Sequence, residues 1–249
     1  MHSATGVSFV VFFRNLKEEP IKTTKKIQQA MSELPDINFE IILLRDGGEK
    51  NYFVEKFLAE TYLPNTVKYI ELCESLGVAG AFAAVIESVK HSHTCLVPGN
   101  NPFTATSYIN VTRNFETHDA VLGYRTNLMA TRPLPKVIAS YCLMRLIRLI
   151  FRPKLNYIKD FHGLNLFRTA HIARFVKYGS GHGIQISLII PIYFLNGSFH
   201  QVPVFNNMMR NGIKDKFLKF PQLKHIVNVT RDLIRLKKTY PFRGIEHKF

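Results

Sequence analysis

The sequence predicts a single domain of the α/β class, in which a mainly parallel β-sheet is flanked by helices. Three observations support this prediction. Runs of β-branched and aromatic residues alternate with stretches of helical periodicity in the first half of the chain, which is typical of βαβ units. Hydrophobic residues make up 46% of the 249 residues and charged residues 20%, as in globular proteins with one core. The chain has no internal repeat or low-complexity segment that would divide it.

Strands and helices are predicted to alternate along the first half of the chain. Because the parallel strands of such units end at one edge of the sheet, ligands are expected at the turns that follow them. The turns at Asp46 and Asn100 are two such strand ends. The predicted strands cover residues 7–13, 38–48, 66–72 and 93–99, and the predicted helices cover residues 21–34, 51–61 and 77–91.

The positive charge of the chain is concentrated in its second half. Residues 1–123 carry 11 Lys/Arg and 14 Asp/Glu, whereas residues 124–249 carry 22 Lys/Arg and 4 Asp/Glu, so the net charges are −3 and +18. This asymmetry favours a polyanionic partner for the second half, or else reflects a solvated basic surface. Phosphates of a small molecule, an anionic membrane surface and nucleic acid are the polyanions to consider. Because no nucleic-acid-binding motif accompanies the charge, nucleic acid is not an expected partner.

The second half is predicted to contain basic amphipathic helices. Residues 134–151 predict a helix that carries Lys136, Arg145 and Arg148 among large apolar side chains. This combination fits a helix at a membrane interface with its basic groups toward lipid phosphates, and it also fits a core helix with arginine on its outer stripe. The other predicted elements are a helix over residues 186–197 that contains Pro191, a strand over residues 198–205 and a basic helix over residues 222–238.

Cysteine usage and apolar run lengths indicate the compartment. Cys73, Cys95 and Cys142 are odd in number and widely spaced, so they predict core thiols in a reducing compartment. No basic segment precedes the first apolar run, which predicts that there is no signal peptide. The longest apolar run, residues 188–195, is far shorter than the roughly 18 residues that span a bilayer. We expect a cytoplasmic protein without a transmembrane helix, peripheral where it meets a membrane.

The turns of the first half resemble those of the family 2 glycosyltransferases with the GT-A fold, which is Rossmann-like. The segment "VVFFRN" keeps Asn15 of the family's first turn, and "EIILLRDGG" keeps Asp46, with Arg45 in place of the first acid. "SLGVAG" keeps Gly77, whose missing side chain lets a ligand approach the backbone closely. The resemblance implies that residues 1–123 bind a nucleotide sugar through Asn15, Asp46 and Gly77, and that Asp46 hydrogen-bonds the donor base.

The turn "VPGNN" falls where this family has an Asp-x-Asp motif that holds a divalent cation against the donor diphosphate. Asn100 and Asn101 stand in this turn. An amide oxygen can bind Mg²⁺ or Mn²⁺, but it lacks the charge of a carboxylate. Three alternatives follow for Asn100 and Asn101: weak metal binding, metal-free catalysis in which Lys and Arg neutralise the diphosphate, or loss of activity.

The second half resembles the branch of the family that transfers a sugar to a polyprenyl or dolichyl phosphate. "AVLGYRTN" and "PKVIAS" place Arg125, Lys136 and Ser140 at positions that commonly bind the acceptor phosphate in this branch. On a helix, Lys136 and Ser140 share one face. "QVPVFNNMMRNGIKDK" resembles the family's mobile basic loop over the donor diphosphate, and its cations are Arg210, Lys214 and Lys216.

Two further segments match this family with changes. "DFHGLNLFR" keeps Asp160, which is predicted to cap a turn rather than to form an acid–base pair with His162. "GHGIQISLI" places Ser187 where the family usually has an acid.

The resemblance implies an inverting glycosyltransferase that moves a sugar from a nucleotide sugar to a polyprenyl phosphate. Because the acceptor phosphate is already anionic, the reaction needs no general base and tolerates a site poor in carboxylates. The expected partners are a nucleotide sugar, a polyprenyl phosphate and an anionic membrane surface, with residues 124–249 as the half that faces acceptor and membrane. The alternative is a catalytically inactive GT-A module that binds lipid phosphate or a protein partner.

Overall fold

The structure is a computed structural model in which seven strands and eight helices are described. It describes residues 4–14, 19–48, 52–60, 66–100, 102–131, 134–151, 155, 157–179, 181–207, 230–231, 234–235 and 237–238. The strands are β1 (Ala4–Phe13), β2 (Phe39–Asp46), β3 (Val67–Leu72), β4 (His91–Pro98), β5 (Ala120–Arg125), β6 (Asn165–Arg168) and β7 (Phe199–Val204). The helices are α1 (Glu19–Ser32), α2 (Tyr52–Glu60), α3 (Gly77–Val85), α4 (Ala105–Thr112), α5 (Leu128–Thr131), α6 (Leu134–Phe151), α7 (Thr169–Phe175) and α8 (Ile184–Phe194).

One sheet holds these strands in the order β3-β2-β1-β4-β6-β5-β7. Among the described strands, β6 alone runs antiparallel to its neighbours, β4 and β5. The others are parallel and therefore end at the same edge of the sheet, which we name the carboxyl edge. Strand β1 lies between β2 and β4, so the ends of β1 and β4 flank a topological switch point. Ligands of open α/β sheets bind at such a point.

Hydrophobic layers cover both faces of the sheet. Val10 and Ile42 pack with α3, α6, α7 and α8, whereas Phe9 and Ile41 pack on the opposite face with α1 and α4. Because β1, β2 and β4 are buried on both faces, their sequences are almost continuously apolar. The strand ends at the switch point are therefore held by a core on each side of the sheet.

The structure confirms the predicted α/β class and the mainly parallel sheet. Helix α6 has the predicted bounds, and α8 confirms the helix predicted through Pro191. The helix predicted over residues 77–91 is shorter than expected, because α3 ends at Val85 and β4 begins at His91. Most of the helix predicted over residues 222–238 lies outside the described residues.

The prediction of three core thiols is wrong for two of the cysteines. Cys95 lies in β4 and is buried, and this burial raises the pKa of its thiol far above the usual range. Cys73 and Cys142 are exposed. Cys73 follows the end of the edge strand β3, and Cys142 lies on the outward side of α6, so neither position is covered by the core.

One side of α6 is exposed and largely apolar. Leu134, Ile138, Tyr141 and Leu149 have exposed fractions of 61%, 53%, 56% and 82%. Their helical spacing places them on one side together with the exposed Arg145, and we name these five residues the outer face of α6. The helix thus combines a core-facing side with an outward apolar side.

Arg148 of the same helix does not belong to the outer face. Its Nη2 atom donates to the carbonyl oxygen of Ile158 at 2.9 Å, so the side chain anchors the segment that follows α6. No helix in the described part of the chain is long and apolar enough to cross a membrane.

Candidate functional site

Asp46 ties the end of β2 to the start of α3. Its carboxylate is buried and accepts hydrogen bonds from Ser75 Oγ (2.9 Å), Leu76 N (2.7 Å) and Gly77 N (3.1 Å). The turn that follows needs glycine, because Gly47 has a φ of +63° and a Cβ there would lie 2.7 Å from Ser75 N. Asp46 therefore caps the helix and orients its first turn toward the carboxyl edge. Its contact with a donor base stays a prediction.

Arg45 stands where the resemblance places the first acid of this turn, and it has a carboxylate partner. It lies directly opposite Glu71 in the β2–β3 ladder, and the two side chains form an ion pair. The Nη1 atom of Arg45 also donates to the carbonyl oxygen of Gly48 at 2.9 Å. The guanidinium is buried, so this pair fixes the turn at the end of β2 from within the fold.

The turn after β4 is held beside the end of β1, at the switch point. Gly99 N donates to the carbonyl oxygen of Phe12 at 2.7 Å, and Thr23 Oγ1 of α1 donates to the carbonyl oxygen of Gly99 at 3.3 Å. Asn100 follows and is exposed at the carboxyl edge. The turn lies at the switch point, where open α/β sheets bind their ligands, and its binding of a diphosphate stays a prediction. Asn101 lies outside the described residues.

The ends of β4, β5 and β7 are joined by backbone and amide hydrogen bonds. Phe103 forms an isolated antiparallel bridge with Asn206, and Asn207 N donates to the carbonyl oxygen of Pro102 at 2.8 Å. Asn127, just after β5, exchanges two bonds of 3.0 Å with the backbone of Asn206. The residues that follow β7, as far as Asn207, therefore lie beside the residues that follow the β4 turn.

Arg125 ends β5 at the carboxyl edge and is paired with Asp160. Its Nε and Nη2 atoms donate to the two carboxylate oxygens at 2.6 and 2.9 Å, and its side chain is only 4% exposed. Asp160 also accepts from His162 N at 2.9 Å, so it caps a turn as predicted. Burial opposes ionisation of Asp160, but the Arg125 charge and these bonds outweigh it and lower the pKa of the carboxyl.

The pairing with Asp160 neutralises the charge of Arg125 that was predicted to bind an acceptor phosphate. A guanidinium that already holds a carboxylate in a buried site has little charge left for a second anion. Binding of an acceptor phosphate by Arg125 stays a prediction, and the contact found here is with Asp160.

The remaining predicted site residues fall in different places. Ser140 lies half-buried in α6, one turn after Lys136, whose side chain is outside the described part of the chain. Ser187 is buried in α8, and its hydroxyl donates to the carbonyl oxygen of Gly183 at 3.3 Å. The predicted residues outside the described ranges are Asn15, Asn101, Arg210, Lys214 and Lys216.

A cation that sequence reasoning missed lies next to the end of β5. The ammonium nitrogen of Lys159 is 4.2 Å from the centroid of the Tyr124 ring. Tyr124 immediately precedes Arg125 in β5, and Lys159 immediately precedes Asp160. The contact follows from the Arg125–Asp160 pair, because that pair brings the residues next to each partner together. The sequence did not predict it, since the two partners are 35 residues apart.

A second group of residues that sequence reasoning missed lies at the opposite edge of the sheet. Asp119 accepts hydrogen bonds from Ser198 N (2.9 Å), Arg168 Nε (3.1 Å) and His171 Nε2 (3.1 Å). Burial raises the pKa of Asp119, but the bonds from Ser198 and His171 outweigh it and lower this pKa to about 2. Because Asp119 joins the beginnings of β5 and β7 to the end of β6, it acts as a structural clamp.

No family model and no curated protein sequence matches the chain. Solved structures do match it. Glucosyl-3-phosphoglycerate synthase from Mycobacterium tuberculosis, in complex with Mn²⁺, UDP-glucose and phosphoglyceric acid, is 14% identical, with 93% of this chain and 79% of that chain covered and a TM-score of 0.65. Mannosyl-3-phosphoglycerate synthase from Rubrobacter xylanophilus is 12% identical, with 97% and 77% covered and a TM-score of 0.68. At these identities the likeness establishes the fold, and the fold is the GT-A arrangement of these glycosyltransferases.

Proposed function

We propose that the chain is an inverting glycosyltransferase that moves a sugar from a nucleotide-sugar donor to a polyprenyl phosphate. The observation that carries this proposal is the meeting of strand-end turns from both halves of the chain at one edge of a GT-A sheet. The similar synthase from Mycobacterium tuberculosis was solved with UDP-glucose, which supports a nucleotide sugar as the donor.

The donor is proposed to lie over residues 1–123 at the switch point. Asp46 holds the first turn of α3 in place, and the exposed Asn100 marks where the diphosphate would lie. Asn207 is hydrogen-bonded to Pro102 close to this turn, which supports the proposed role of the basic residues that follow in sequence as a loop over the leaving diphosphate. The residues proposed for donor binding are Asn15, Asp46, Gly77, Asn100, Asn101, Arg210, Lys214 and Lys216.

The described residues fit a divalent cation poorly. In the turn after β4, the described side chain that could bind Mg²⁺ or Mn²⁺ is that of Asn100, an uncharged amide. Elsewhere, the described residues contain no group of three or more His, Cys, Asp or Glu that could hold a metal ion. Hard cations favour several charged oxygens. We therefore propose that Lys and Arg side chains of the chain itself stabilise the departing diphosphate.

The acceptor is proposed to approach from residues 124–249. Its phosphate oxygen is anionic at neutral pH and attacks the anomeric carbon in line with the leaving diphosphate, so the chain must supply position rather than a base. The buried Ser187, which replaces the usual acid, is compatible with such a reaction. Arg125, Lys136 and Ser140 are the residues proposed to serve the acceptor phosphate, and Arg125 does so while paired with Asp160.

The outer face of α6 supports a peripheral location on the cytoplasmic side of a membrane. It combines four exposed apolar side chains with Arg145, in a half whose net charge is +18. Binding of such a surface to a membrane is favoured both by contact of its apolar side chains with acyl chains and by attraction of its basic groups to anionic lipids. A lipid acceptor would be delivered on the same side.

The test is a transfer assay with radiolabelled UDP-sugars and GDP-sugars and a short polyprenyl phosphate in anionic vesicles, with Mg²⁺, Mn²⁺ or EDTA. We expect a labelled glycolipid with the phosphate acceptor and none with the corresponding polyprenol. Phosphoglyceric acid, which is bound by the Mycobacterium tuberculosis synthase, serves as the soluble comparison acceptor. Transfer to it alone, or no product with any donor, contradicts the proposal.

A catalytically inactive GT-A module is the second candidate function. Its support is the replacement of acids that the family usually has, by Arg45 near the end of β2 and by Ser187 in α8. Calorimetry with UDP and GDP separates the two, because an enzyme binds one of them with a Kd in the micromolar range, about −8 kcal/mol, and an inactive module does not.

A further inference from the structure

Arg125 is the last residue of β5 and Arg45 the last but one of β2, so both lie near the carboxyl edge, yet neither presents an uncompensated charge. Arg45 is paired with Glu71 and Arg125 with Asp160, and both guanidinium groups are buried. A buried ion pair attracts a further anion only weakly, since the opposite charges cancel at a short distance. A phosphate at the end of β5 would therefore be attracted more strongly by a different cation there than by either arginine.

Lys159 is fixed at that strand end by its backbone. Its amide N donates to Gln201 Oε1 at 2.8 Å, and Gln201 Nε2 donates to the carbonyl oxygen of Tyr157 at 2.9 Å. These two bonds attach residues 157–159 to β7. The next residue, Asp160, is held by Arg125. The backbone of Lys159 is thus anchored from both sides, and only its side chain is left to adapt.

The ammonium group of Lys159 lies against an aromatic ring. It lies over the ring of Tyr124 at 4.2 Å from the centroid, and the residue is exposed. Among the described residues, no carboxylate forms an ion pair with it. An ammonium over a tyrosine ring loses water on one side and keeps N–H donors on the others. This arrangement suits a phosphate that approaches from solvent.

We propose that Lys159 binds the phosphate monoester of the acceptor, with Tyr124 as the wall that holds its ammonium and the Arg125–Asp160 pair as the positioning element. The identity of the acceptor rests on the function proposed above, whereas recognition of a phosphate monoester by Lys159 does not. The inference adds Lys159 to the acceptor site and gives Arg125 a supporting role.

The first experiment measures binding of farnesyl monophosphate and of inorganic phosphate by calorimetry. Lys159→Met is expected to weaken both about tenfold, since one charge-assisted hydrogen bond is lost, and Lys159→Arg to retain most of the affinity. The matched control is Lys25→Met, on α1. It removes another ammonium group that lies over an aromatic ring, since Lys25 Nζ is 5.9 Å from the centroid of the Phe57 ring. The control is expected to bind like the wild type.

The second experiment separates phosphate binding from a general structural effect. Lysine ammonium groups carrying ¹³C-methyl labels give one NMR signal each, and ring current from Tyr124 distinguishes that of Lys159. This signal should move on titration with farnesyl monophosphate, and Tyr124→Leu should remove the ring-current shift and weaken binding.

The inference is overturned if Lys159→Met binds both phosphates within twofold of the wild type. A loss confined to farnesyl monophosphate, or a wild-type chain that binds neither phosphate, overturns it equally. If phosphate binding depends on Lys159 but no sugar transfer occurs, the proposed function fails and this inference stands.

Discussion

Replacement of Asp160 by asparagine should destabilise the protein strongly, because it leaves the Arg125 guanidinium buried without a counter-charge. The side chain of Arg125 is 4% exposed and both of its bonds, of 2.6 and 2.9 Å, go to Asp160. Removal of one partner of a buried pair costs about 3–5 kcal/mol. For a chain of this size the same loss lowers the Tm by about 6–20 °C.

The assay is urea-induced unfolding followed by circular dichroism, which suits a chain without tryptophan. The control is the double variant Arg125→Met, Asp160→Asn, which removes both charges and keeps an acceptor for His162 N. It should recover about 2 kcal/mol relative to Asp160→Asn alone, since no uncompensated charge remains. A cost below about 1 kcal/mol for Asp160→Asn, or no recovery in the double variant, would refute the reasoning.

Three further predictions concern separate parts of the molecule. Gly163→Ala should prevent stable folding, because a Cβ there would overlap the carbonyl oxygen of Gly123. A Tm close to that of the wild type would contradict this contact. Hydrogen bonds from Ser198 and His171 lower the pKa of Asp119 to about 2. The ionised Asp119 therefore stabilises the fold at pH values above the usual carboxyl pKa, and this stabilisation is lost as the pH falls toward 2. Asp119→Asn should therefore flatten the fall in urea midpoint between about pH 5 and pH 3, and an unchanged slope would argue against the clamp. Leu149→Glu, on the outer face of α6, should abolish flotation with anionic vesicles while leaving the Tm within a few degrees, and unaltered flotation would exclude this face as the membrane contact.

Much of the first half of the fold could be predicted from the sequence because three of its strands, β1, β2 and β4, are buried on both faces. Continuous apolar runs such as that of β1 leave little ambiguity, and the glycines after Asp46 mark where β2 ends. Strand β6 could not be predicted, since its four residues are too few to show a period. Its place in the sheet depends on pairing with β4 and β5, which are distant in sequence.

The candidate site was predicted as a set of turns but not as a set of contacts. The positions of Asp46 and Asn100 at strand ends follow from local pattern, and the structure places both at the carboxyl edge. The partners of Arg45 and Arg125 depend on strand register and on a loop 35 residues away, which no local pattern contains. Charge counts alone therefore overstated how many cations remain available to a phosphate.

The position of β6 also bears on how the chain assembles during synthesis. Strands β1 to β4 are neighbours made from residues 4–98, so they can associate as soon as they emerge from the ribosome. Strand β5 has to wait, because both strands that flank it, β6 and β7, are translated later. A nascent chain that stalls before residue 165 would carry β5 with both edges unpaired, a state prone to aggregation.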